Sequence, residues 1–196
     1  MSQNLSKNLE LKLEEIRDFY SRHKSEIRDI VAYGSAVRGN KPRDIDLVLI
    51  LEDDVEDGED LAYRLKRELE DEKAEVDVKG KKIGEIFNSN FLAGGLIILE
   101  GYSLITEEYI CQKLNLENYT LFKYNLSNLD KNKKTQFTYA LKGRGENEGV
   151  LEGLSGKHFS RGVILIPPEN TGEFKDFFGR WNLSYEEYRI GMRRVI

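Results

Sequence analysis

The stretch VAYGSAVRGNKPRDIDLVLILE, residues 31–52, decides the fold. An apolar run ending at Tyr33 leads into Gly34-Ser35, and beyond 36–43 the triplet Asp44-Ile45-Asp46 heads a second apolar run, Leu47 to Leu51. Short apolar runs bounded by turn residues read as buried strands. Asp44 and Asp46, two apart on such a strand, face the same side. Two anions held side by side in a structured core repel unless a cation lies between them. An unpaired carboxylate at Asp46, flanked by Ile45, Leu47 and Val48, is expensive to bury. A Gly-Ser turn offers backbone N–H groups and a hydroxyl to an anion. Together these residues describe a pocket for a metal-bound polyphosphate.

Outward from this stretch, Leu9, Leu13, Ile16, Tyr20, His23 and Ile27 have the spacing of one amphipathic helix over 6–27. His23 lies on its apolar face and reads as a packed histidine, not a ligand. Strand one covers 29–33. The loop 36–43 carries Arg38, Lys41 and Arg43, punctuated by Gly39 and Pro42. The acidic connection 52–60 reads as a solvated loop whose charges favour a helix start. Leu61, Leu65 and Leu69 mark that helix. Strand three covers 74–78, and its alternation puts Glu75 and Asp77 on one face. Further helices are expected over 82–92, interrupted by Gly94-Gly95, and from Thr106 through Leu114, with a short strand over 102–105.

The string GSAVRGNKPRDIDLVLIL resembles the DNA polymerase β-type nucleotidyltransferase superfamily, in particular its minimal branch. The matching residues are Gly34, Ser35, Arg38, Gly39, Asp44 and Asp46, with a third carboxylate, Asp77, on a later strand. The gap between Ser35 and Asp44 is shorter than in many minimal members. The resemblance covers about residues 1–115 and implies a polymerase β-like sheet with helices on one side; the pattern of the remaining residues, taken by itself, adds a smaller C-terminal α+β domain over 116–196, which makes the whole chain α+β. It implies a nucleotidyltransferase that moves a nucleoside monophosphate from an NTP, with ATP favoured, to an acceptor hydroxyl, releasing pyrophosphate. Asp44, Asp46 and Asp77 would bind two Mg2+ or Mn2+ ions. Gly34, Ser35 and Arg38 would hold the nucleotide. Family members modify RNA ends, proteins or small molecules. An RNA end is preferred here, with a nucleotidylating antitoxin acting on a partner protein, or a non-catalytic nucleotide-binding regulator, as alternatives.

Residues 116–196 show no such resemblance. A strand is expected over 119–126, and Asp130 caps a helix reaching Leu141. Lys131, Lys133 and Lys134 open that helix against the dipole preference; they read first as a solvated lysine face, with a nearby phosphate backbone as the alternative. Six glycines, at 143, 145, 149, 153, 156 and 162, match neither phosphate-binding fingerprint and read as turns between short strands. Arg144, Lys157 and Arg161 among them are the candidate acceptor contacts. A strand over 161–166 stops at Pro167-Pro168. Phe174, Phe177, Phe178 and Trp181 have helical spacing and read as the domain's small core. Residues 185–196 fit helix or strand.

Composition bounds the rest. At 196 residues with 39% hydrophobic content, the chain is one large domain or two small ones. No apolar run is long enough for a membrane span, and the N-terminus reads as no signal peptide. The lone Cys111 reads as a buried apolar residue, and with a single cysteine the chain is expected to be cytoplasmic. Charge is uneven: residues 131–196 carry 12 Lys and Arg against 8 Asp and Glu, leaving 18 basic and 27 acidic in 1–130. A basic C-terminal part beside an acidic catalytic part points to a polyanionic partner.

Overall fold

An apolar stripe that breaks at Leu11 and Lys12 opens the chain. In the computed structural model, which describes residues 5–38, 44–70 and 75–193, helix α1 (Lys7–Glu10) ends there and α2 (Leu13–Arg22) starts afresh. The expected single helix over 6–27 is therefore two, and its last residues begin strand β1 (Ile27–Tyr33). Then follow β2 (Asp44–Leu51), α3 (Gly58–Leu69), β3 (Glu75–Lys82), α4 (Ile83–Ile86), α5 (Gly94–Glu100), β4 (Tyr102–Ser103) and α6 (Ile110–Lys113). The chain divides into two units, one running to Glu117 and the other spanning Asn118–Met192. Among the described residues, no helix is long and apolar enough to cross a membrane.

The first unit is built on a four-stranded mixed sheet in the order β3-β2-β1-β4. β2 runs parallel to β3 and antiparallel to β1. The alternation of β2 sorts its side chains. Ile45, Leu47 and Leu49 join Ile16, Phe19, Leu61 and Leu65 of the two long helices in one apolar cluster. Val48 and Ile50 face the other way, against Ile86 and Ile97. The long helices thus lie on one face, as expected. The other face is covered in part, over β1 and β2, by the short helices α4 and α5. Asp44 and Asp46 have the parity of Val48, so they emerge on this second face. Asp57 caps α3 by accepting from Asp60 N at 2.9 Å, which accounts for the acidic connection before it. His23 is a packed residue, its ring 4.5 Å from that of Phe19.

β3 runs four residues past the expected 74–78, to Lys82 (Ala74 lies outside the described residues). Its inward position Gly80 is crossed by the start of α3. A Cβ there would lie 2.1 Å from the carbonyl oxygen of Gly58, backbone against backbone. Gly80→Ala is therefore expected to cost about 2 kcal/mol and to lower the melting temperature of this unit by roughly 8 °C. Thermal unfolding followed by circular dichroism checks it.

The second unit contains β5 (Glu117–Tyr124), α7 (Lys131–Lys142), the hairpin β6 (Gly143–Arg144) and β7 (Asn147–Glu148), α8 (Val150–Gly153), β8 (Lys157–Ser160), β9 (Val163–Ile166), α9 (Thr171–Arg180) and β10 (Tyr185–Met192). Its sheet order is β10-β5-β9-β8. Phe137 and Leu141 of α7 and Phe174, Phe177 and Phe178 of α9 meet Phe122, Ile164 and Ile166 in one buried cluster, so the aromatic repeat is the core of this unit. Asp130 caps α7 by accepting from Lys133 N at 2.9 Å. The glycine-rich stretch forms the small hairpin and the turns around α8, and of the residues 185–196 that fitted helix or strand, Tyr185–Met192 are strand β10, with 194–196 outside the described residues.

Candidate active site

Register brings the site together. Antiparallel pairing sets Tyr33 opposite Asp46, and parallel pairing sets Asp46 beside Asp77 and Asp44 beside Glu75. Residues paired across neighbouring strands share a face, so the three predicted aspartates project from one side of the sheet. Asp44 is exposed, and Asp46 and Asp77 are half-buried. Burial first, then Asp77, then Asp44 push the Asp46 carboxyl above the usual carboxylate range, against the opposing pull of Lys79 and Arg38. The Tyr33 hydroxyl, which was not among the predicted site residues, is pushed up to about 12 by burial and by the charges of Asp46 and Asp77. Negative charge therefore accumulates around Asp46.

Gly34 follows β1 with φ at +72°, in the left-handed region, and opens a 3-10 turn, Gly34–Val37. A Cβ on Gly34 would lie 2.8 Å from Asp46 Oδ2, so the Gly-Ser turn sits directly against the second aspartate. Ser35 is half-buried in this turn. Arg38, just past it, donates from Nη1 to Glu100 Oε2 at 2.9 Å. Glu100 is only 1% exposed, so its carboxylate holds Arg38 from within the fold. Nothing local in the sequence pointed to Glu100; the only signal was a charged residue closing the apolar run 96–99. Gly39, Lys41 and Arg43 lie outside the described residues.

The chemistry of these groups bears on whether they suit a divalent cation. The donors are all carboxylate oxygens, the hard set suited to Mg2+ or Mn2+, and Asp46 is raised by burial and then by the two neighbouring carboxylates, which a cation would offset. Among the described residues, no three carboxylate, imidazole or thiol groups are already gathered around one point. Asp77 holds Lys79 Nζ at 3.2 Å instead, so a cation at Asp77 displaces that ammonium. The donor chemistry fits, with this exchange as its condition. Lys79 also lines a cleft of about 470 Å³ with Lys81, Glu59, Glu85 and Asn88.

In the second unit, Arg161 sits in the turn between β8 and β9, not on a strand, because Gly162 follows at φ +74°. Lys157 lies over the Tyr119 ring at 4.7 Å and Arg144 over the Tyr139 ring, also at 4.7 Å. The three candidate acceptor contacts thus have three different surroundings. Cys111 is buried, and burial pushes its thiol up to about 11, which leaves it inert.

Residues 13–100 match the family model described as a nucleotidyltransferase domain. The match runs from the first residue of α2 to Glu100 and contains every residue of the site described above. No curated protein and no solved structure matches the chain.

Proposed function

Residues 13–100 are a nucleotidyltransferase domain of the polymerase β-like superfamily, and on that premise we propose that the protein transfers a nucleoside monophosphate from an NTP, with ATP favoured, to a hydroxyl at an RNA end. The observation that carries this reading is the register of Asp46 with Asp77 on one side and the close approach of the Gly34 turn, where a Cβ would strike Asp46 Oδ2, on the other. It sets an anion-binding turn and a group of carboxylates at one place.

Asp44, Asp46 and Asp77 would hold two Mg2+ or Mn2+ ions. When bound, these ions neutralise the triphosphate and polarise the reacting oxygens. Ser35 donates its hydroxyl, and the turn its N–H groups, to phosphate oxygens. Arg38 adds a cation there, oriented by Glu100. The acceptor oxygen forms a bond to the α-phosphorus, the bond between the α-phosphorus and its bridging oxygen breaks, and pyrophosphate leaves. The hydroxyl proton departs toward Asp77.

The experiment incubates the protein with α-labelled ATP, CTP, GTP or UTP, magnesium or manganese, and bulk RNA, beside the Asp44→Ala/Asp46→Ala variant. Labelled RNA with wild type alone supports the reading. Label transfer that survives the double substitution overturns the site.

Glu100 is a positioning residue in this scheme. Glu100→Gln keeps the shape and removes the charge that orients Arg38, so the expected result is a KM for NTP raised about tenfold with kcat nearly unchanged. A purely structural role would instead lower the melting temperature and leave KM alone. Steady-state kinetics with a parallel melt separates the two.

A further inference from the structure

The second unit has a cleft of about 740 Å³ whose lining contains no aspartate or glutamate. One wall is α7, which presents Lys134, Thr138 and Lys142. Residues at i, i+4 and i+8 follow one another along a single helix face, so the two ammonium groups stand on the same side, separated by about 12 Å of helix. Another wall is the β8–β9 hairpin, which brings His158 from β8 and Arg161 from the turn. The floor is apolar and aromatic, made by Tyr124, Phe137 and Leu141, the last two buried.

The charges on these walls are uncompensated. Lys134, Lys142 and Arg161 are all exposed, and none is paired with a carboxylate among the described residues. Elsewhere the structure neutralises its arginines freely, as with Arg17 on Glu107, Arg22 on Glu68, Arg28 on Glu52 and Arg38 on Glu100. A low-dielectric cleft lined by one sign of charge focuses the potential and concentrates the opposite ion. Two cations 12 Å apart on one wall and a third on the other exceed what one phosphate needs. An aromatic floor between rows of cations is the arrangement that binds single-stranded nucleic acid, with backbone phosphates on the walls and a base against the ring.

We propose that this cleft is a binding site for single-stranded RNA, with Lys134, Lys142 and Arg161 meeting successive phosphates and a base lying on Tyr124. The proposal rests on the RNA acceptor proposed above and gives it a docking surface. It also moves the acceptor contacts from Lys157 and Arg144, which lie on tyrosine rings, to Lys134 and Lys142, keeping Arg161.

The test is fluorescence anisotropy of the full-length protein with a labelled ten-nucleotide single-stranded RNA, without NTP, at 50 and 200 mM salt. Three phosphate contacts predict that wild-type affinity falls about 20-fold between these salts. Lys134→Gln/Lys142→Gln/Arg161→Gln should weaken binding at least 20-fold at 50 mM and flatten the salt slope by about 2. Lys7→Gln/Lys24→Gln/Arg67→Gln removes the same charge from exposed positions in the first unit and should bind as wild type. Circular dichroism melts confirm that both variants fold. Absence of wild-type binding, equal binding by the cleft variant, equal loss in the control variant, or displacement of RNA by polyglutamate at equal charge concentration would each overturn the proposal. Because binding is read without NTP, and Asp46→Asn should leave it intact, a failure of the transfer reading is distinguishable from a failure of this one.

Discussion

Asp46→Asn is expected to lower nucleotidyl transfer by about 10³-fold, some 4 kcal/mol of transition-state stabilisation, while the metal-free protein melts higher than wild type. The two effects share one cause. Asp46 is the middle carboxylate of the site, beside Asp77 in register and two residues from Asp44. Without a cation, its charge is opposed by burial and by both neighbours, which hold its carboxyl above the usual range. The folded chain therefore binds this proton more tightly than the unfolded chain, and stability falls as pH rises through the window between the ordinary and the raised value. The Asn variant escapes that loss. Its advantage is absent at low pH, grows through the window and is complete above it. Because the group is half in water, the gain is below about 1 kcal/mol, or up to about 3 °C. Magnesium should reverse the order, raising the melting temperature of wild type by mass action and that of the variant little. Product labelling and scanning fluorimetry with and without magnesium measure both halves. Unchanged transfer would remove Asp46 from the chemistry, and a variant melting lower at neutral pH would mean that its carboxylate is stabilising.

The placement of the three aspartates on one face of the sheet was more legible in the sequence than the elements around them. Asp44, Asp46 and Asp77 were legible because strand periodicity alone assigns them to faces, and pairing then had only to align them. The helix expected over 82–92 shrank to α4, and no local pattern shows it: Ile83 and Phe87, four apart and expected to face inward, are 44% and 68% exposed, so apolar residues at helical spacing lie at the surface there. Gly94 and Gly95 begin a helix instead of interrupting one, since a Cβ at Gly94 would lie 2.1 Å from the Ile86 carbonyl oxygen and only glycine permits that approach. β3 reads as ending at Val78 because Lys79, Gly80 and Lys81 lose the apolar alternation, yet its parallel pairing with Val48 to Leu51 continues. Partners distant in sequence decide these cases, as they do for Glu100 beneath Arg38. The cleft of the second unit is the same. Lys134 was visible in the sequence among the lysines that open α7, but Lys142 read as part of the glycine-rich stretch because the helix was expected to stop at Leu141, and the His158 and Arg161 wall is made by the β8–β9 hairpin.

Gly34→Ala is expected to lower transfer by about 10²-fold while costing about 1 kcal/mol of stability. The stability cost comes from the backbone: φ at +72° is the left-handed region, where a Cβ meets its own chain. The larger loss comes from what that Cβ strikes. It would lie 2.8 Å from Asp46 Oδ2, with the Asp46 carboxyl carbon at 3.8 Å as the next atom. The far end of a side chain yields more cheaply than backbone, so the fold absorbs the methyl by turning the Asp46 carboxylate aside. Stability suffers little from that movement, but chemistry does, because a displacement of about 1 Å in a reacting group costs about 10²-fold. The two variants should therefore not add. Once Asp46 is already Asn, displacing it loses nothing further, and Gly34→Ala/Asp46→Asn should be nearly as active as Asp46→Asn alone. Residual transfer measured for both single variants and the double variant decides the point. If the losses multiply to about 10⁵-fold, Gly34 acts on the triphosphate through its own N–H and the Ser35 hydroxyl, independently of the carboxylate it touches.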